Sequence, residues 1–133
     1  MSGIIWSDEM FSVGIRKIDD QHKQLINLIN ILDSQRNKNE PWFTEKVLGT
    51  LVDYTKNHFS DEEKLLKKIQ FPAFENHHQR HQEFIESVEK FRTSFTAKGP
   101  TPETIDELSS FLSDWLKHHI MVEDKAYCFY LEL

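Results

Sequence analysis

Residues 58–81, HFSDEEKLLKKIQFPAFENHHQRH, decide the fold of this chain. They form two charged, helix-forming runs separated by the short break QFPA, whose proline interrupts the helical pattern. Two pairs of polar residues at i, i+4 spacing flank the break, His58 with Glu62 and His77 with His81. Side chains four residues apart lie side by side on a helix. The stretch therefore predicts two antiparallel helices that face each other with polar pairs.

Two further breaks, in residues 37–41 and 97–102, combine turn-forming residues with proline. The three breaks leave four long segments with apolar residues at alternating steps of three and four, as in packed bundle helices. An arm of roughly 18 residues without helical period precedes them. A short aromatic segment containing Cys128 follows them. The sequence therefore predicts one all-α domain over residues 1–133, an up-down-up-down four-helix bundle with an N-terminal arm and a short C-terminal helical tail.

The composition supports an all-α fold and argues against several functions. The 133 residues include only 4 Gly and 4 Pro, which is few for a many-stranded fold. The net charge of −6 argues against nucleic-acid binding. A single cysteine, the lack of a secretory leader and the lack of a long apolar run predict a cytoplasmic protein without membrane insertion. We also expect a monomer.

The positions spaced by alternating steps of three and four form a stripe along each helix, which a bundle core would normally fill with apolar residues. Titratable side chains occupy some of these stripe positions. Six of them are distributed over the four segments: His22, His58, Glu62, His77, His81 and His119. Burying so many is unfavourable unless they bind one another or a ligand. In an antiparallel bundle, the starts of the first and third segments meet the ends of the second and fourth. All six residues are therefore expected at one level, which favours a metal site over separate core histidines.

The spacing of these residues resembles the ligand set of the hemerythrin family: His22, His58-x-x-x-Glu62, His77-x-x-x-His81 and His119-x-x-x-x-Asp124. The flanking residues are similar to those of its bacterial, single-domain members: Trp6, Ile18-Asp19-x-Gln21-His22 and Trp115-Leu116-x-x-His119-Ile120. The resemblance spans nearly the whole chain. It also implies the up-down-up-down topology, which myohemerythrin of that family has.

The last residue of this pattern conflicts with regular helical geometry. Helical period makes Glu123, four residues after His119, the next inward residue. The resemblance implies Asp124 instead, five residues after His119. An aspartate at that spacing can face the same site if the helix contains a π-type bulge, which is frequent at functional sites. We predict Asp124 as the ligand, with Glu123 as the alternative.

The candidate ligands favour a pair of metal ions. Five imidazoles and two carboxylates are too many for one tetrahedral zinc ion and suit two octahedral iron or manganese ions. The resemblance implies two iron ions with an oxo or hydroxo bridge, also bridged by Glu62 and Asp124. It assigns three histidines to one iron and two to the other: His77, His81 and His119, and His22 and His58. The second iron is then five-coordinate, and the resemblance implies that it holds dioxygen as hydroperoxide.

Apolar residues beside the candidate ligands predict a pocket that admits dioxygen and limits water: Leu25, Phe59, Trp115, Leu116 and Ile120. Four polar neighbours lie off the stripes and are expected on the solvated surface: Asp61, Glu63, His78 and His118.

We therefore predict reversible dioxygen binding by a carrier or store, and no enzyme activity. One alternative is a di-iron enzyme that consumes dioxygen, peroxide or nitric oxide, although ferritin-like oxidases use mostly glutamates and paired Glu-x-x-His motifs. Another is an oxygen sensor that acts through a separate partner. For a carrier, an oxygen-consuming protein is a candidate partner. An iron store is not favoured, because the sequence indicates a single site.

Overall fold

The computed structural model describes residues 4–38 and 40–132, and this part of the chain is helical without strands. Residues 1–3 of the predicted arm, residue 39 of the first break and residue 133 lie outside the described residues. The elements are α1 (Asp8–Phe11), α2 (Arg16–Ser34), α3 (Pro41–Lys68), α4 (Phe74–Lys98), α5 (Pro102–His118), a π-helix (His119–Asp124) and α6 (Lys125–Glu132). Helices α2 to α5 are the four predicted bundle helices, and α6 is the predicted tail.

Prolines at two of the predicted breaks begin helices. Pro41 is the first residue of α3 and Pro102 is the first residue of α5. Proline suits this position because the first N–H groups of a helix have no intrahelical acceptor. In α5 the Thr101 hydroxyl also accepts a hydrogen bond from the Thr104 backbone N–H at 3.1 Å. These local signals set where both helices start.

The break QFPA, residues 70–73, reverses the chain between α3 and α4. Gln70 adopts a left-handed conformation with φ of 55°, and the Phe71 N–H donates to the Leu66 carbonyl at 3.0 Å. This is the helix-ending turn in which glycine is usual, here formed with glutamine. Helix α4 then returns along α3. The reversal places the start of α4 opposite the end of α3.

The main apolar core lies between the four bundle helices. Helix α3 packs against α2 and α4, and α2 also packs against α5. Leu32, Leu108 and Leu112 are completely buried in this core. Leu32 is near the end of α2 and Leu108 near the start of α5, so they lie towards one end of the bundle, and the same core continues through Leu25, Phe59 and Leu116 towards the other end. None of the described helices is both long and apolar enough to cross a membrane.

A second apolar cluster joins the arm, the bundle and the tail: Val13, Ile18, Leu66, Phe71 and Tyr127. The arm is shorter than predicted, because it contains the single turn α1 and α2 already begins at Arg16. Asp19 anchors the arm by accepting hydrogen bonds from the Val13 N–H at 2.8 Å and the Ser12 hydroxyl at 2.6 Å. The arm and tail thus cover the end of the bundle that carries the predicted ligand residues.

Candidate metal centre

The structure brings the predicted ligand residues together, and each is at most 3% exposed. They come from three of the bundle helices and from the π-helix that continues α5: His22 of α2, His58 and Glu62 of α3, His77 and His81 of α4, and His119 and Asp124 of the π-helix. Their positions along the helices are near one end of the bundle, as the topology requires. Their role as ligands remains a prediction.

The π-helix decides which acidic residue enters the cluster. It spans His119–Asp124, and its wider turn brings residues five apart onto one face. Asp124 is completely buried, with Oδ1 3.0 Å from His119 Nε2. Glu123 lies outside the cluster, where its Oε1 contacts His119 Nδ1 at 2.8 Å. The bulge considered from the sequence is therefore present, and it turns Asp124 rather than Glu123 inward.

Glu62 lies between two groups of histidines. Its Oε1 atom faces the first group, at 2.6 Å from His77 Nε2, 3.0 Å from His81 Nε2 and 3.6 Å from His119 Nε2. Its Oε2 atom faces the second group, at 3.7 Å from His22 Nε2 and 3.6 Å from His58 Nε2. We call these the three-histidine group and the two-histidine group. One carboxylate thus presents an oxygen to each group.

Asp124 lies between the same two groups. Its Oδ1 is 3.0 Å from both His77 Nε2 and His119 Nε2, in the three-histidine group. Its Oδ2 is 3.1 Å from His22 Nε2, in the two-histidine group. Carboxylates that present one oxygen to each of two nitrogen clusters have the arrangement needed to bridge two cations.

Several buried atoms of the centre lack hydrogen-bond partners within the part of the chain that the structure describes. They include His22 Nε2, His58 Nε2 and both Asp124 carboxylate oxygens. Buried polar atoms are normally paired, so unpaired atoms that face one another require an explanation. A cation bound by these nitrogen and oxygen atoms would satisfy them, and the donor set suits iron or manganese. The residues therefore fit a metal centre.

Protons compete with metal ions for the histidine nitrogens and carboxylate oxygens of this centre. Burial alone would lower the pKa of His22 and His77, but Asp124 and Glu62 raise the pKa of both to about 9. Burial lowers the pKa of His58 to about 4, because its neighbouring carboxylates compensate less. Burial opposes the ionisation of Glu62, yet the surrounding histidines hold its pKa well below the usual value. The centre therefore attracts positive charge, whether as protons or as metal ions.

The outward-facing nitrogens of three histidines have ordered partners. His81 Nδ1 donates to Glu63 Oε2 at 2.8 Å and His119 Nδ1 donates to Glu123 Oε1 at 2.8 Å. His58 Nδ1 donates to Gln21 Oε1 at 2.7 Å. These bonds fix the ring orientations and turn Nε2 of each ring towards the centre.

The expectation for Glu63 was therefore wrong, because Glu63 is bound to a centre residue rather than simply solvated. Its side chain is 17% exposed, and its second oxygen accepts from His78 Nδ1 at 2.6 Å. His78 is half-buried by this contact. His118 is exposed, as expected. Asp61 is half-buried and accepts from the Gln21 amide at 3.0 Å. Pairings between α3 and its neighbours produce these contacts, and the period of a single helix does not reveal them.

Tyr127 of α6 also reaches the centre, and sequence reasoning missed it. Its side chain is completely buried, and its hydroxyl donates to Glu62 Oε2 at 3.2 Å. The ring lies edge-on to His77, with centroids 5.9 Å apart. The signal available in the sequence was its position three residues after Asp124, on the helical continuation of the π-helix.

The residues predicted to form the pocket lie beside the centre. Leu25, Phe59, Leu116 and Ile120 are buried, and Trp115 is half-buried. The Phe59 ring stacks on His81 with centroids 3.7 Å apart, and Trp115 stacks on His119 at 4.5 Å. Four of the five residues, excepting Ile120, line a cavity of about 10 Å³. That volume accommodates about one water-sized molecule.

A four-helix bundle with two buried histidine–carboxylate groups at one end defines a class of cation-binding bundle proteins. The model of the hemerythrin HHE cation binding domain matches residues 13–128, and the chain belongs to the hemerythrin family. This agrees with the resemblance seen in the sequence.

Individual relatives match over most of their length. A bacteriohemerythrin of Pseudomonas paraeruginosa is 37% identical over 128 residues, covering 96% of this chain and 80% of that protein. A bacteriohemerythrin of Clostridium acetobutylicum is 32% identical, covering 92% of this chain and 97% of that protein. The crystal structure of a wild-type hemerythrin superposes with a TM-score of 0.86 at 26% identity, covering 98% of each chain. The fold prediction is confirmed.

Proposed function

We propose that this protein binds dioxygen reversibly, as a carrier or store, at a centre of two non-haem iron ions. The observation that supports it most strongly is the shared orientation of Glu62 and Asp124. Each carboxylate presents one oxygen to the three-histidine group and the other to the two-histidine group. A single metal ion would not use both groups, whereas two bridged ions use all seven side chains.

The two groups would hold the ions unequally. His77, His81 and His119 with both carboxylates supply five protein ligands to one position. His22 and His58 with the same carboxylates supply four to the other. The two-histidine position therefore has more room for an exogenous ligand. When bound, a pair of ferrous ions supplies the two electrons that dioxygen accepts.

The surrounding side chains suit binding better than turnover. The Phe59 ring stacks on His81 and the Trp115 ring stacks on His119, and both border the small cavity beside the centre together with Leu25 and Leu116. Apolar walls limit the entry of water and protons, which would promote release of reduced oxygen. The histidine-rich ligand set should also stabilise highly oxidised iron less than a glutamate-rich one does.

The test is an oxygen cycle on the iron-loaded protein. The protein is reduced anaerobically, oxygen is admitted, and oxygen is then removed while the visible absorption is recorded. Reversible appearance and loss of an oxygen-dependent band supports the proposal. Irreversible bleaching with peroxide release, or oxidation of a substrate, would instead indicate an enzyme.

Two adjacent histidines provide matched variants for this cycle. His119→Ala removes a residue of the centre and should abolish the band. His118→Ala removes an exposed imidazole one residue away and should leave the cycle unchanged. Equal effects of the two substitutions would contradict the assignment.

A further inference from the structure

The acceptors that bind the outward-facing histidine nitrogens differ in charge between the two groups. In the three-histidine group, His81 donates to Glu63 and His119 donates to Glu123, each at 2.8 Å. Both acceptors are carboxylates with low side-chain exposure, 17% for Glu63 and 14% for Glu123. Arg80 Nε lies 3.3 Å from the second oxygen of Glu123 and holds it in place. Two of the three rings are thus bound to oriented carboxylates.

The two-histidine group has no such carboxylate on its outer side among the described residues. His58 donates to the Gln21 amide oxygen at 2.7 Å, which is a neutral acceptor. The Gln21 amide nitrogen donates to Asp61 Oδ2 at 3.0 Å, which fixes the amide oxygen towards His58. The outward Nδ1 of His22 is buried without a hydrogen-bond partner in the described structure.

A hydrogen bond to Glu62, one of the two carboxylates between the groups, adds to this difference between the two metal positions. Tyr127 donates its hydroxyl to Glu62 Oε2, the oxygen that faces His22 and His58. A hydrogen bond to a carboxylate oxygen withdraws electron density from it. The Oε1 atom, which faces the three-histidine group, receives no hydrogen bond from Tyr127. The phenol therefore weakens the oxygen offered to the two-histidine position.

We propose that these outer hydrogen bonds make the two metal positions unequal, with Glu63 and Glu123 as positioning residues that favour the more oxidised ion at the three-histidine position. This inference rests on the proposed di-iron function. A carboxylate acceptor draws the imidazole proton away and makes the ring a stronger electron donor, whereas an amide does so less. The stronger donors stabilise the ferric state more than the ferrous state.

The separation between the two one-electron midpoint potentials tests the inference, measured by a spectroscopically monitored redox titration of the iron-loaded protein. Glu63→Gln and Glu123→Gln each retain a hydrogen-bond acceptor and remove its charge. Each should reduce the ferric preference at the three-histidine position about tenfold, and so narrow the separation by about 59 mV. Glu86→Gln, an exposed substitution on α4, is the control and should leave the separation unchanged.

Exchanging the charge beside His58, in the two-histidine group, gives an independent measurement of the same separation of potentials. The double variant Gln21→Glu/Asp61→Asn moves the carboxylate next to His58 and keeps both the net charge and the hydrogen-bond chain. It should lower the higher of the two potentials and also narrow the separation. An unchanged separation in this variant and in both glutamate variants, with two irons still bound, would overturn the inference alone. A wild-type protein that does not bind an iron pair would overturn the proposed function, and the inference with it.

Discussion

Asp124 follows His119 by five residues, yet its Oδ1 lies 3.0 Å from His119 Nε2 in the same buried cluster. A regular α-helix would place these side chains about 140° apart, because successive residues turn by about 100°. The π-helix over His119–Asp124 removes this conflict. It also leaves Glu123 free to bind the outer nitrogen of His119. One local irregularity thus supplies an inner carboxylate and an outer carboxylate from adjacent residues.

Asp124→Ala should reduce bound iron far more than Glu123→Ala. Asp124 offers oxygens to both histidine groups, whereas among the centre residues Glu123 contacts the outer nitrogen of His119 and otherwise pairs with Arg80. Iron content after reconstitution and gel filtration measures the difference. We expect Glu123→Ala to weaken affinity by roughly 10-fold to 100-fold, the usual effect of losing an outer hydrogen bond. Loss of iron in the Glu123 variant alone would reverse the assignment.

Metal uptake by the metal-free protein should release protons at pH 7. The pKa values of His22 and His77 are raised to about 9, and burial is outweighed by contacts with Asp124 that hold the pKa of His119 well above its usual value. All three rings are therefore protonated at neutral pH, and a metal ion must displace those protons. Affinity should therefore increase as the pH rises towards 9, and proton release should decrease above it. Calorimetry in buffers of different ionisation enthalpy should give roughly three protons per chain at pH 7. Uptake without proton release would be inconsistent with these pKa values.

Tyr127→Phe should destabilise the metal-free protein by about 2 kcal/mol, the range for a buried hydrogen bond to a charged group. Burial and the nearby carboxylates raise the pKa of Tyr127, so its hydroxyl stays a neutral donor to Glu62 at all working pH values. Urea unfolding at pH 7 measures the change. Tyr130→Phe is the matched control, because the Tyr130 hydroxyl makes only an exposed contact with the Gln70 carbonyl at 3.5 Å. Equal stabilities of the two variants would exclude a structural role for the buried bond.

Leu116→Asn should accelerate autoxidation of the oxygenated protein. Leu116 is buried and borders the cavity beside the centre, and a polar side chain there would admit water. An increase on the order of tenfold corresponds to a barrier lower by about 1.4 kcal/mol. The decay of the oxygenated absorption band measures the rate. An unchanged rate in a folded variant would show that Leu116 does not protect the site.

The bundle and the inner residues could be predicted because they depend on local signals. Pro41 and Pro102 mark helix starts, and the stripe positions of His58 and Glu62 follow from helical period. The same period would bury Leu65, three residues after Glu62, yet Leu65 is half-buried and the next residue, Leu66, is completely buried. A straight helix drifts relative to a seam of steps of three and four, and the drift accumulates over the 28 residues of α3.

Most of the outer contacts could not be predicted, because they join residues that are distant in sequence; the contact between His119 and Glu123, four residues apart, is the exception. Gln21 and His58 are 37 residues apart, and Tyr127 and Glu62 are 65 apart. Each pair depends on the rotation of one helix against another, which the apolar pattern constrains only loosely. Asp124 required the family pattern in addition to the helical period, since a π-helix has no reliable signal in a single sequence.

The most direct test of the account is the iron content and electron paramagnetic resonance of the oxidised protein after anaerobic reconstitution with ferrous iron. Two ions bridged by Glu62 and Asp124 predict about two iron atoms per chain and no resonance from isolated ferric iron, because the bridged ions couple magnetically. One iron per chain with an isolated ferric signal would contradict a bridged pair between the two histidine groups.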